Sequence, residues 1–498
     1  MTITRDAAHW RKLADEVRPE GRAFIDGAYV DAVCGETFDS VDPATGAVLG
    51  KVASGGAADV DRAVAAARRA FESGVWSRMS PTDRGRRLVC FAELMERNAE
   101  ELALLETLDM GKPIADSLAV DLPLSVACVR WYGEAVDKLY DEIAPTPGTA
   151  ISLMRRAPLG VVAAIVPWNF PLLMACWKIA PILAAGNSVV LKPAEQSSYT
   201  AIRIAALAVE AGIPEGVLNV VPGYGETAGR ALGLHMDVDC IAFTGSTEVG
   251  KLFMQYSGQS NLKRVGLECG GKSPNIIFAD APDVKAAAVG AAWGIFYNQG
   301  EVCNAGSRVL VEEAVRDEVV ETIVETGRAM RVGDPLDPAT QIGAIVDRRQ
   351  TERVMDYIAI GRSEGARLVS GGGRPQGAGA CFIEPTVFDN VGPEMRIARE
   401  EIFGPVLAVL SFRDEAEAVR LANDTIYGLA AGLWTRDVNR TFRVSDALHA
   451  GVVWVNCFDH GHISSPFGGF KQSGFGRDKS LHAIEKYTDI KTTWINLG

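Results

Sequence analysis

The spacing of apolar and polar residues predicts short strands followed by helices at the beginning of the chain. Residues 22–54 alternate short apolar runs with turn residues, as in Phe24-Ile25-Asp26-Gly27, which is typical of small β-hairpins. At Asp59 the apolar period changes to that of an amphipathic helix, and Pro81 opens a second helix. The pattern predicts a third helix near residues 122–140.

Two further segments are predicted to form one small sheet. Residues 150–156 are strand-like and lie between turn-rich stretches, and residues 487–495 alternate Thr, Ile and Lys near the C-terminus. A strand that projects between helical and α/β regions needs a partner from elsewhere in the molecule. We therefore expect these two segments to form an oligomerisation sheet.

Between residues 160 and 270, strands and helices alternate. Strands are predicted at 161–166, 188–191, 218–221 and 240–243, and helices at 172–185, 198–211, 227–234 and 249–256. Such alternation predicts a doubly wound parallel sheet. A second α/β pattern runs from residue 273 to about 469, with strands predicted at 276–278, 308–311, 406–410 and 452–455.

Composition and charge exclude several classes of protein. The chain has 498 residues, of which 48% are hydrophobic and 23% charged, so disorder of the whole chain is excluded. A net charge of −13 provides no electrostatic footprint for nucleic acid or an anionic membrane. The apolar stretch 159–186 is long enough to span a bilayer, but Pro167, Lys178 and Pro181 within it predict a buried strand, turn and helix.

Cysteine and histidine spacing argues against a metal site and against a disulfide framework. The nine cysteines include no Cys-x-x-Cys pair, and the six histidines include no His-x-x-x-His pair. Scattered cysteines are typical of a reducing compartment, and the N-terminus lacks the apolar segment of a secretory signal. We therefore expect a cytoplasmic protein without a metal cofactor.

One cysteine stands in a loop suited to chemistry. Cys303 lies between Gly300 and Gly306 in the run Asn-Gln-Gly-Glu-Val-Cys-Asn-Ala-Gly-Ser-Arg. Glycines allow a ligand to approach the backbone closely, and a thiolate is a strong nucleophile towards a carbonyl carbon. The alternative is a buried cysteine that packs as a small apolar side chain.

Two motifs suit a dinucleotide. The turn Gly245-Ser246-Thr247 joins a strand to a helix N-terminus, where free N–H groups and the helix dipole suit a pyrophosphate. It is not a P-loop, because Leu252 follows Lys251 where a magnesium-binding Ser or Thr is required. Lys192 and Glu195 follow a predicted parallel strand, at the edge where dinucleotides bind and ribose hydroxyls can be held. For both motifs, an ordinary solvated loop remains the alternative.

Three further loops carry polar groups suited to an acyl-transfer site. Asn169 lies between aromatic residues and prolines, where its side-chain N–H could stabilise an oxyanion. Glu268 precedes a double glycine and suits a general base. Glu401 and Phe403 adjoin the Gly404-Pro405 turn. Taken singly, each residue could equally be an ordinary loop residue with a satisfied side chain.

Together these motifs resemble those of the NAD(P)-dependent aldehyde dehydrogenase superfamily over essentially the whole chain. The resemblance is carried by residues 167–171, 192–195, 243–250, 268–274, 300–308, 400–406 and 466–476. Within that superfamily, the stretch around Trp10 and residues 280–283 and 466–480 are most similar to the bacterial gamma-glutamyl-gamma-aminobutyraldehyde dehydrogenases of polyamine breakdown.

The resemblance implies an α/β fold with three parts. A doubly wound, Rossmann-like NAD-binding domain would comprise residues 1–139 and 160–270. An α/β catalytic domain would comprise residues 271–470. A small β arm, from residues 140–159 and 471–498, would serve oligomerisation of a homodimer or homotetramer.

The resemblance also implies roles for individual residues. Cys303 would be the nucleophile, Glu268 the base for the deacylating water, and Asn169 with the backbone N–H of Cys303 the oxyanion hole. Lys178 would lie near the proton path from Glu268. The implied cofactor-binding residues are Ile165, Pro167, Trp168, Lys192, Glu195, Gly225, Phe243, Gly245, Ser246, Gly270, Glu401 and Phe403.

Three positions depart from the pattern of the family. Asp478 stands where many relatives have glutamate, which puts a water-ordering role there in doubt. Glu301 replaces a more usual glutamine, and Cys269 replaces a usual leucine beside the base. Neither of the last two changes touches an acting atom, but both could alter reactivity.

Cofactor and substrate follow as expectations. A carboxylate at position 195 would repel a 2′-phosphate, so NAD is favoured over NADP. The implied substrate pocket contains Phe170, Trp177, Asp121, Asp459 and Phe467. Aromatic faces and carboxylates suit a cationic chain, which predicts an ω-aminoaldehyde or its gamma-glutamyl derivative.

The sequence leaves four alternatives open. Asp459 could be a solvated loop residue, in which case a general aliphatic or betaine-type aldehyde dehydrogenase would fit. A CoA-acylating dehydrogenase is disfavoured by Glu268, which suits hydrolysis. A non-catalytic structural protein on the same fold would have no need for Cys303, Glu268 and Asn169.

Overall fold

The computed structural model describes residues 5–498. Within them the strands are β1 (Ala23–Ile25), β2 (Ala28–Val30), β3 (Thr37–Val41), β4 (Val48–Ala53), β5 (Glu142–Ala144), β6 (Ala150–Pro158), β7 (Val161–Ile165), β8 (Ser188–Lys192), β9 (Leu218–Val220), β10 (Cys240–Gly245), β11 (Arg264–Cys269), β12 (Pro274–Ile277), β13 (Arg308–Glu312), β14 (Arg367–Ser370), β15 (Thr386–Asp389), β16 (Val406–Phe412), β17 (Ala430–Trp434), β18 (Val452–Val455), β19 (Gly474–Phe475) and β20 (Thr488–Asn496).

The α-helices of the same residues are α1 (Ala7–Glu16), α2 (Ala57–Ser73), α3 (Pro81–Arg97), α4 (Ala99–Met110), α5 (Ile114–Asp116), α6 (Leu122–Ala135), α7 (Pro171–Ala184), α8 (Tyr199–Glu210), α9 (Arg230–Leu234), α10 (Thr247–Gln259), α11 (Val284–Phe296), α12 (Arg316–Ala329), α13 (Arg348–Ser363), α14 (Arg396–Arg399), α15 (Glu415–Asn423), α16 (Val438–Ala447) and α17 (His482–Glu485). None of them is both long and apolar enough to cross a membrane.

An eight-stranded sheet forms the first large layer. Its order is β19-β11-β10-β7-β8-β9-β1-β2, and the five strands from β11 to β9 are parallel. Counted along the chain from β7, these five strands have the spatial order 3-2-1-4-5 of a doubly wound nucleotide-binding sheet. They are almost wholly buried because helices cover both faces. The predicted alternation between residues 160 and 270 is confirmed.

The N-terminal elements agree with their predictions, with two differences. Strands β1 and β2 form one hairpin and β3 and β4 another, and α2 and α3 begin where expected. Helix α6 ends at Ala135, and a short 3-10 turn follows it, so the predicted end at residue 140 was too late. Helix α4 was missed because nearly all its side chains are buried, which removes the amphipathic period.

A seven-stranded sheet forms the second layer, with the order β14-β15-β16-β13-β12-β17-β18. Its four predicted strands are confirmed as β12, β13, β16 and β18. Strand β17 was missed: its sequence, Ala-Ala-Gly-Leu-Trp, carries few β-branched side chains although all five residues are buried. The loops that precede β13 and β16 carry Cys303 and Glu401, so these strands meet the candidate site at their amino ends, whereas the segment that carries Asp459 follows β18.

The predicted small sheet is also present. Strand β20 pairs antiparallel with β6 along its whole length, and β5 pairs with the other edge of β6. The segment 471–498 is divided, however, because β19 pairs with β11 in the large sheet. Only residues from Thr488 onwards lie in the three-stranded arm, so its C-terminal part begins later than the predicted boundary at residue 471.

Candidate active site

A strained turn brings Cys303 to the junction of the two large sheets. After α11 the chain passes through Asn298, Gln299 and Gly300, with φ values of 48°, 58° and 73°. Only glycine fits at position 300, since a Cβ there would lie 2.3 Å from the backbone of Gly404. At Gly300 the close neighbour is therefore the backbone of Gly404, so the predicted approach of a ligand to these glycines stays a prediction; Cys303 itself is partly exposed.

Asn169 is bound to this same loop. Its side chain is 3% exposed, and its Nδ2 donates to the backbone oxygen of Glu301 at 2.8 Å. In return, Nδ2 of Asn298 donates to the backbone oxygen of Asn169 at 3.1 Å. An amide nitrogen carries two N–H donors, so one remains available to an oxyanion beside Cys303.

The Cys303 thiol stands among three carboxyl groups. Burial, together with the nearby charges of Glu401, Asp459 and Glu268, raises the pKa of the thiol, and the backbone N–H of Asn304 opposes this effect. The resting thiol is therefore protonated at neutral pH. A base must remove its proton before it can act as a nucleophile.

Glu268 has the environment of a general base. It lies on β11, is 4% exposed, and neither carboxyl oxygen has a hydrogen-bond partner within residues 5–498. Burial raises the pKa of Glu268 to about 8, with Asp478 adding to the rise and Lys178, Lys486 and Arg477 opposing it. A base with a pKa near the working pH is well matched to proton abstraction from water.

Lys178 belongs to a buried ionic triad behind Glu268. One carboxylate oxygen of Asp478 accepts from Lys178 and the other from Lys486. Burial tends to raise the pKa of Asp478, but the two ammonium groups outweigh it and hold the pKa below the usual range. Asp478, which stands where many relatives have glutamate, is therefore the ionised partner of two lysines. Lys486 was not predicted, because it follows a short C-terminal helix, α17, whose sequence is typical of a solvated surface segment.

The predicted ribose and pyrophosphate residues collect at one edge of the eight-stranded sheet. Lys192 ends β8, with its Nζ 3.7 Å from the Glu195 carboxylate, which is 36% exposed. Ser246 is the N-cap of α10, where its Oγ accepts from the Val249 N–H, and the other N–H groups of the first turn lack intrahelical partners. The other predicted contacts on this edge are Ile165, Pro167, Gly225, Phe243 and Gly245.

A second cluster connects this edge to Cys303. Glu401 accepts from the Gly271 N–H at 3.0 Å, and burial raises its pKa to about 7. A Cβ at Gly270 would lie 2.1 Å from a Glu401 carboxyl oxygen, so a larger residue there would displace the Glu401 side chain. Phe403 packs edge-on against Trp168, with ring centroids 5.1 Å apart. One cavity is lined by Glu401 and Phe403 as well as by Gly300 and Val302 of the catalytic loop.

Aromatic side chains line the opposite approach to Cys303. Phe170 stacks on Tyr297 with centroids 6.3 Å apart, and Trp177 meets Phe467 at 5.3 Å. Lys479, which the sequence analysis missed, places its Nζ 5.4 Å from the centroid of the Trp177 ring. The four rings therefore form two pairs, and each pair has a lysine ammonium beside one ring, Lys112 at Phe170 and Lys479 at Trp177.

The two predicted pocket carboxylates differ in their surroundings. Asp459 is exposed to solvent and accepts from Asn304 Nδ2 at 2.7 Å, next to Cys303 in the chain. Asp121 is 1% exposed and accepts from Lys112. An internal cation therefore neutralises Asp121, so its predicted contact with a substrate cation does not fit this structure.

Comparison with known proteins now identifies the family. Residues 29–493 match the model of the Aldehyde dehydrogenase family. The chain belongs to the aldehyde dehydrogenase family. The protein is therefore an oxidoreductase that acts on aldehydes, as the resemblance predicted, and the alternative of a non-catalytic protein is set aside.

Individual relatives of this aldehyde dehydrogenase cover its whole length. It is 53% identical over 491 residues to the NADP/NAD-dependent aldehyde dehydrogenase PuuC of Escherichia coli (strain K12), with 98% of each chain covered. A solved gamma-glutamyl-gamma-aminobutyraldehyde dehydrogenase from Burkholderia cenocepacia J2315 has a TM-score of 0.98 at 58% identity. An indole-3-acetaldehyde dehydrogenase solved with NAD+ has the same TM-score and identity. Both structures cover 99% of this chain, and all of each is covered in return.

Proposed function

We propose that this aldehyde dehydrogenase oxidises an ω-aminoaldehyde, or its gamma-glutamyl derivative, to the carboxylic acid with NAD. The observation that carries the substrate assignment is the position of the Asp459 carboxylate. It accepts a hydrogen bond from Asn304, the residue that follows Cys303 in the chain. Similarity to PuuC and to the gamma-glutamyl-gamma-aminobutyraldehyde dehydrogenase supports the same substrate class.

In the proposed mechanism, the partly exposed Cys303 thiol gives its proton to solvent, and the thiolate adds to the aldehyde carbon and forms a C–S bond. The free N–H of Asn169 Nδ2 and the backbone N–H of Cys303 stabilise the resulting alkoxide. Bound NAD supplies the hydride acceptor for the oxidation, which leaves a thioester on Cys303. Glu268 takes a proton from water, which attacks the thioester and releases the acid and the thiol. The Lys178–Asp478–Lys486 triad lies behind Glu268 and maintains positive charge there.

The cofactor assignment rests on groups of this chain that fit a dinucleotide. The N-terminus of α10 suits a pyrophosphate. The Lys192–Glu195 pair suits the adenosine ribose, while Glu401 against Gly270 suits the nicotinamide ribose. The structure of the indole-3-acetaldehyde dehydrogenase with NAD+ supports this assignment.

Glu195 is expected to favour NAD over NADP. Its carboxylate accepts hydrogen bonds from ribose hydroxyls and repels a 2′-phosphate. The variant Glu195→Gln should lower the NAD/NADP ratio of kcat/KM by about 10-fold, because it removes that repulsion. Initial rates at low cofactor concentration test this, and a parent enzyme that is faster with NADP would contradict it.

The charges at the pocket mouth favour a substrate with a charged head. Asp459 suits an ammonium, while Lys479 beside Trp177 suits a carboxylate. The ammonium of Lys479 interacts with Asp459, although burial lowers the pKa of Lys479. A gamma-glutamyl head carries both an ammonium and a carboxylate, so it would use both residues, whereas 4-aminobutyraldehyde would use Asp459 alone.

Asp459→Asn is expected to lower kcat/KM for 4-aminobutyraldehyde by about 10- to 100-fold, because an ammonium loses its counter-charge. The rate with butyraldehyde should change by less than about 2-fold, since that substrate has no charge for Asp459 to bind. Asparagine keeps an acceptor for Asn304 Nδ2, so the loop should hold its position.

A matched variant separates the two substrates. Lys479→Met should reduce kcat/KM for the gamma-glutamyl derivative while leaving 4-aminobutyraldehyde unimpaired. Equal rates of the parent enzyme with charged and uncharged aldehydes of one chain length would reject the substrate proposal. A clear preference for uncharged aldehydes would favour a general aliphatic enzyme, and a preference for indole-3-acetaldehyde would assign the two pairs of aromatic rings to an indole ring.

We also propose that the protein is a homo-oligomer of the cytoplasm. The three-stranded arm exposes large apolar side chains on both of its edge strands, Ile143 (72% exposed) on β5 and Ile490 (66%) and Trp494 (61%) on β20, which a second copy can cover. The scattered cysteines agree with a reducing compartment. Sedimentation equilibrium tests the assembly, and a monomer at micromolar concentration would contradict it.

A further inference from the structure

The turn that precedes Cys303 is strained and needs support. Asn298 and Gln299 both adopt left-handed backbone conformations, which L residues rarely do. Such geometry persists only where the surrounding structure fixes it. The contacts of this turn therefore identify the residues that hold the nucleophile loop in place.

Two buried side chains connect the turn to residues 343–346. Oε1 of Gln299 accepts from the Gly343 N–H at 3.0 Å, and Oε1 of Glu301 accepts from the Val346 N–H at 3.1 Å. Both side chains are 0% exposed. Gln299 and Glu301 therefore have the same role: each accepts a hydrogen bond from a backbone N–H of residues 343–346 through its Oε1, although one side chain is an amide and the other a carboxyl group.

Glu301 also fixes the oxyanion donor. Its backbone oxygen accepts from Asn169 Nδ2 at 2.8 Å and from Asn298 Nδ2 at 3.2 Å. A displacement of Glu301 would therefore move the side-chain amide of Asn169 relative to Cys303. The Glu301 side chain thus acts on catalysis through Asn169 and has no contact of its own with the reacting atoms.

The surroundings of the Glu301 carboxyl group suit its neutral form. Its Oε2 has no hydrogen-bond partner in the described part of the chain. Lys112, the cation that faces it, is already paired with Asp121, and Asp347 adds a negative charge. Burial, with Asp347, raises the pKa of Glu301 well above its ordinary value, while the Val346 N–H, Gln299 and Lys112 oppose the rise. A buried carboxylate with one donor would be costly.

We propose that Glu301 is a positioning residue that, as a neutral carboxylic acid, pins the strained turn and Asn169, and that its ionisation at alkaline pH releases them. The enzyme would then contain an alkaline-sensitive device next to its nucleophile. The activity readout of this proposal rests on the proposed function, whereas the stability readout does not.

The sign of the pH effect follows from proton binding. The folded protein keeps the Glu301 proton at pH values where the unfolded chain, with an ordinary glutamate, has lost it. Stability must therefore fall as pH rises from the ordinary glutamate pKa towards the raised one. Glutamine presents the same acceptor oxygen and cannot ionise, so Glu301→Gln removes this loss.

The test compares Glu301→Gln and Glu301→Ala with the parent enzyme between about pH 6 and pH 9.5. Relative to the parent, the Tm of Glu301→Gln should rise with pH, by at least about 2 °C at the alkaline end. With propanal as substrate, its kcat should persist at alkaline pH where that of the parent falls. Glu301→Ala should lose kcat more than KM at every pH, because the Val346 contact is gone.

Asp109→Asn is the matched control. Asp109 is also a buried carboxyl group, accepts from Ser40 and Tyr199, and has a pKa raised to about 7 by burial. Its Tm difference from the parent should therefore level off near neutral pH, and its kcat profile should follow that of the parent.

Three outcomes would overturn the proposal. The first is a Tm difference between Glu301→Gln and the parent that does not change with pH. The second is an alkaline decrease in the kcat of Glu301→Gln as large as that of the parent. The third is a kcat of Glu301→Ala equal to that of the parent. If the parent enzyme and both variants are inactive with propanal but the Tm difference still rises with pH, the proposed function fails while the ionisation of Glu301 stands.

Discussion

Replacing Cys303 with alanine is expected to lower kcat for any aldehyde by at least about 10⁴-fold, because removing a nucleophile abolishes the covalent route. Cys303 is one of nine cysteines; it is partly exposed, it lies in the loop that Asn169 binds through the backbone of Glu301, and the charges of Glu268 and Glu401 act on its thiol. The measurement is NADH formation at saturating NAD and propanal. A decrease of less than about 10-fold would contradict the assignment.

Two controls separate chemistry from folding. Cys457→Ala changes another partly exposed thiol, which follows β18 and is outside the proposed machinery, so it should keep near-parental turnover. Cys303→Ala itself should bind NAD with unchanged affinity, because the proposed ribose contacts come from Lys192, Glu195 and Glu401. An unchanged Tm would show that the loss of activity is chemical.

Much of the fold could be predicted because most of its strands are recognisable from their local sequence. The five central strands of the eight-stranded sheet are short apolar runs separated by turn residues, and their alternation with helices leaves few topologies. Pairing of β6 with β20 could also be inferred from two isolated strand-like segments, although β6 has an additional local partner, β5, that was not predicted. Helix α4 and strand β17 could not, because burial on all sides removes the periodic signal that local reasoning needs.

The candidate site was predictable only in part, and for a related reason. Cys303, Asn169 and Glu268 lie in glycine- and proline-bounded motifs whose chemistry is visible in the sequence. Lys486 and Lys479 matter through distant partners, Asp478 and Asp459, which the sequence does not connect to them. Asp121 shows the reverse case: its type suggested a substrate contact, but only the fold shows that Lys112 already neutralises it.

Glu301 shows how an unusual residue gains meaning from its contacts. In the sequence it was a departure from glutamine that touched no acting atom. In the structure it is a buried acid. Its side-chain oxygen accepts from the Val346 N–H, and its backbone oxygen accepts from Asn169 Nδ2, so it connects residue 346 to Asn169. The proposed effect of Glu301 is on how stability and kcat depend on pH. It does not change which reaction is catalysed, so no catalytic motif could have indicated it.

Replacing Glu268 with glutamine is expected to lower steady-state kcat by about 10²- to 10⁴-fold, the usual range for loss of a general base. Glutamine matches the size of glutamate and removes only its basicity. Because the proposed base acts on the thioester, acylation should still occur. We therefore expect a rapid burst of NADH equal to the number of active subunits, followed by slow turnover. Stopped-flow absorbance measures both phases.

The pH profile adds an independent test of the same residue. The active form of the base is the carboxylate, and burial raises the pKa of Glu268 to about 8. The parent kcat should therefore increase with pH up to about 8, before the alkaline decrease expected from Glu301, while the kcat of Glu268→Gln should lack this increase. Glu106→Gln is the matched control, since Glu106 is a buried carboxyl group with a pKa also raised to about 8, but it binds the Leu172 N–H. Its profile should follow that of the parent. A Glu268→Gln enzyme without a burst would place Glu268 before acylation, as the base that ionises Cys303, because the protonated resting thiol also needs one.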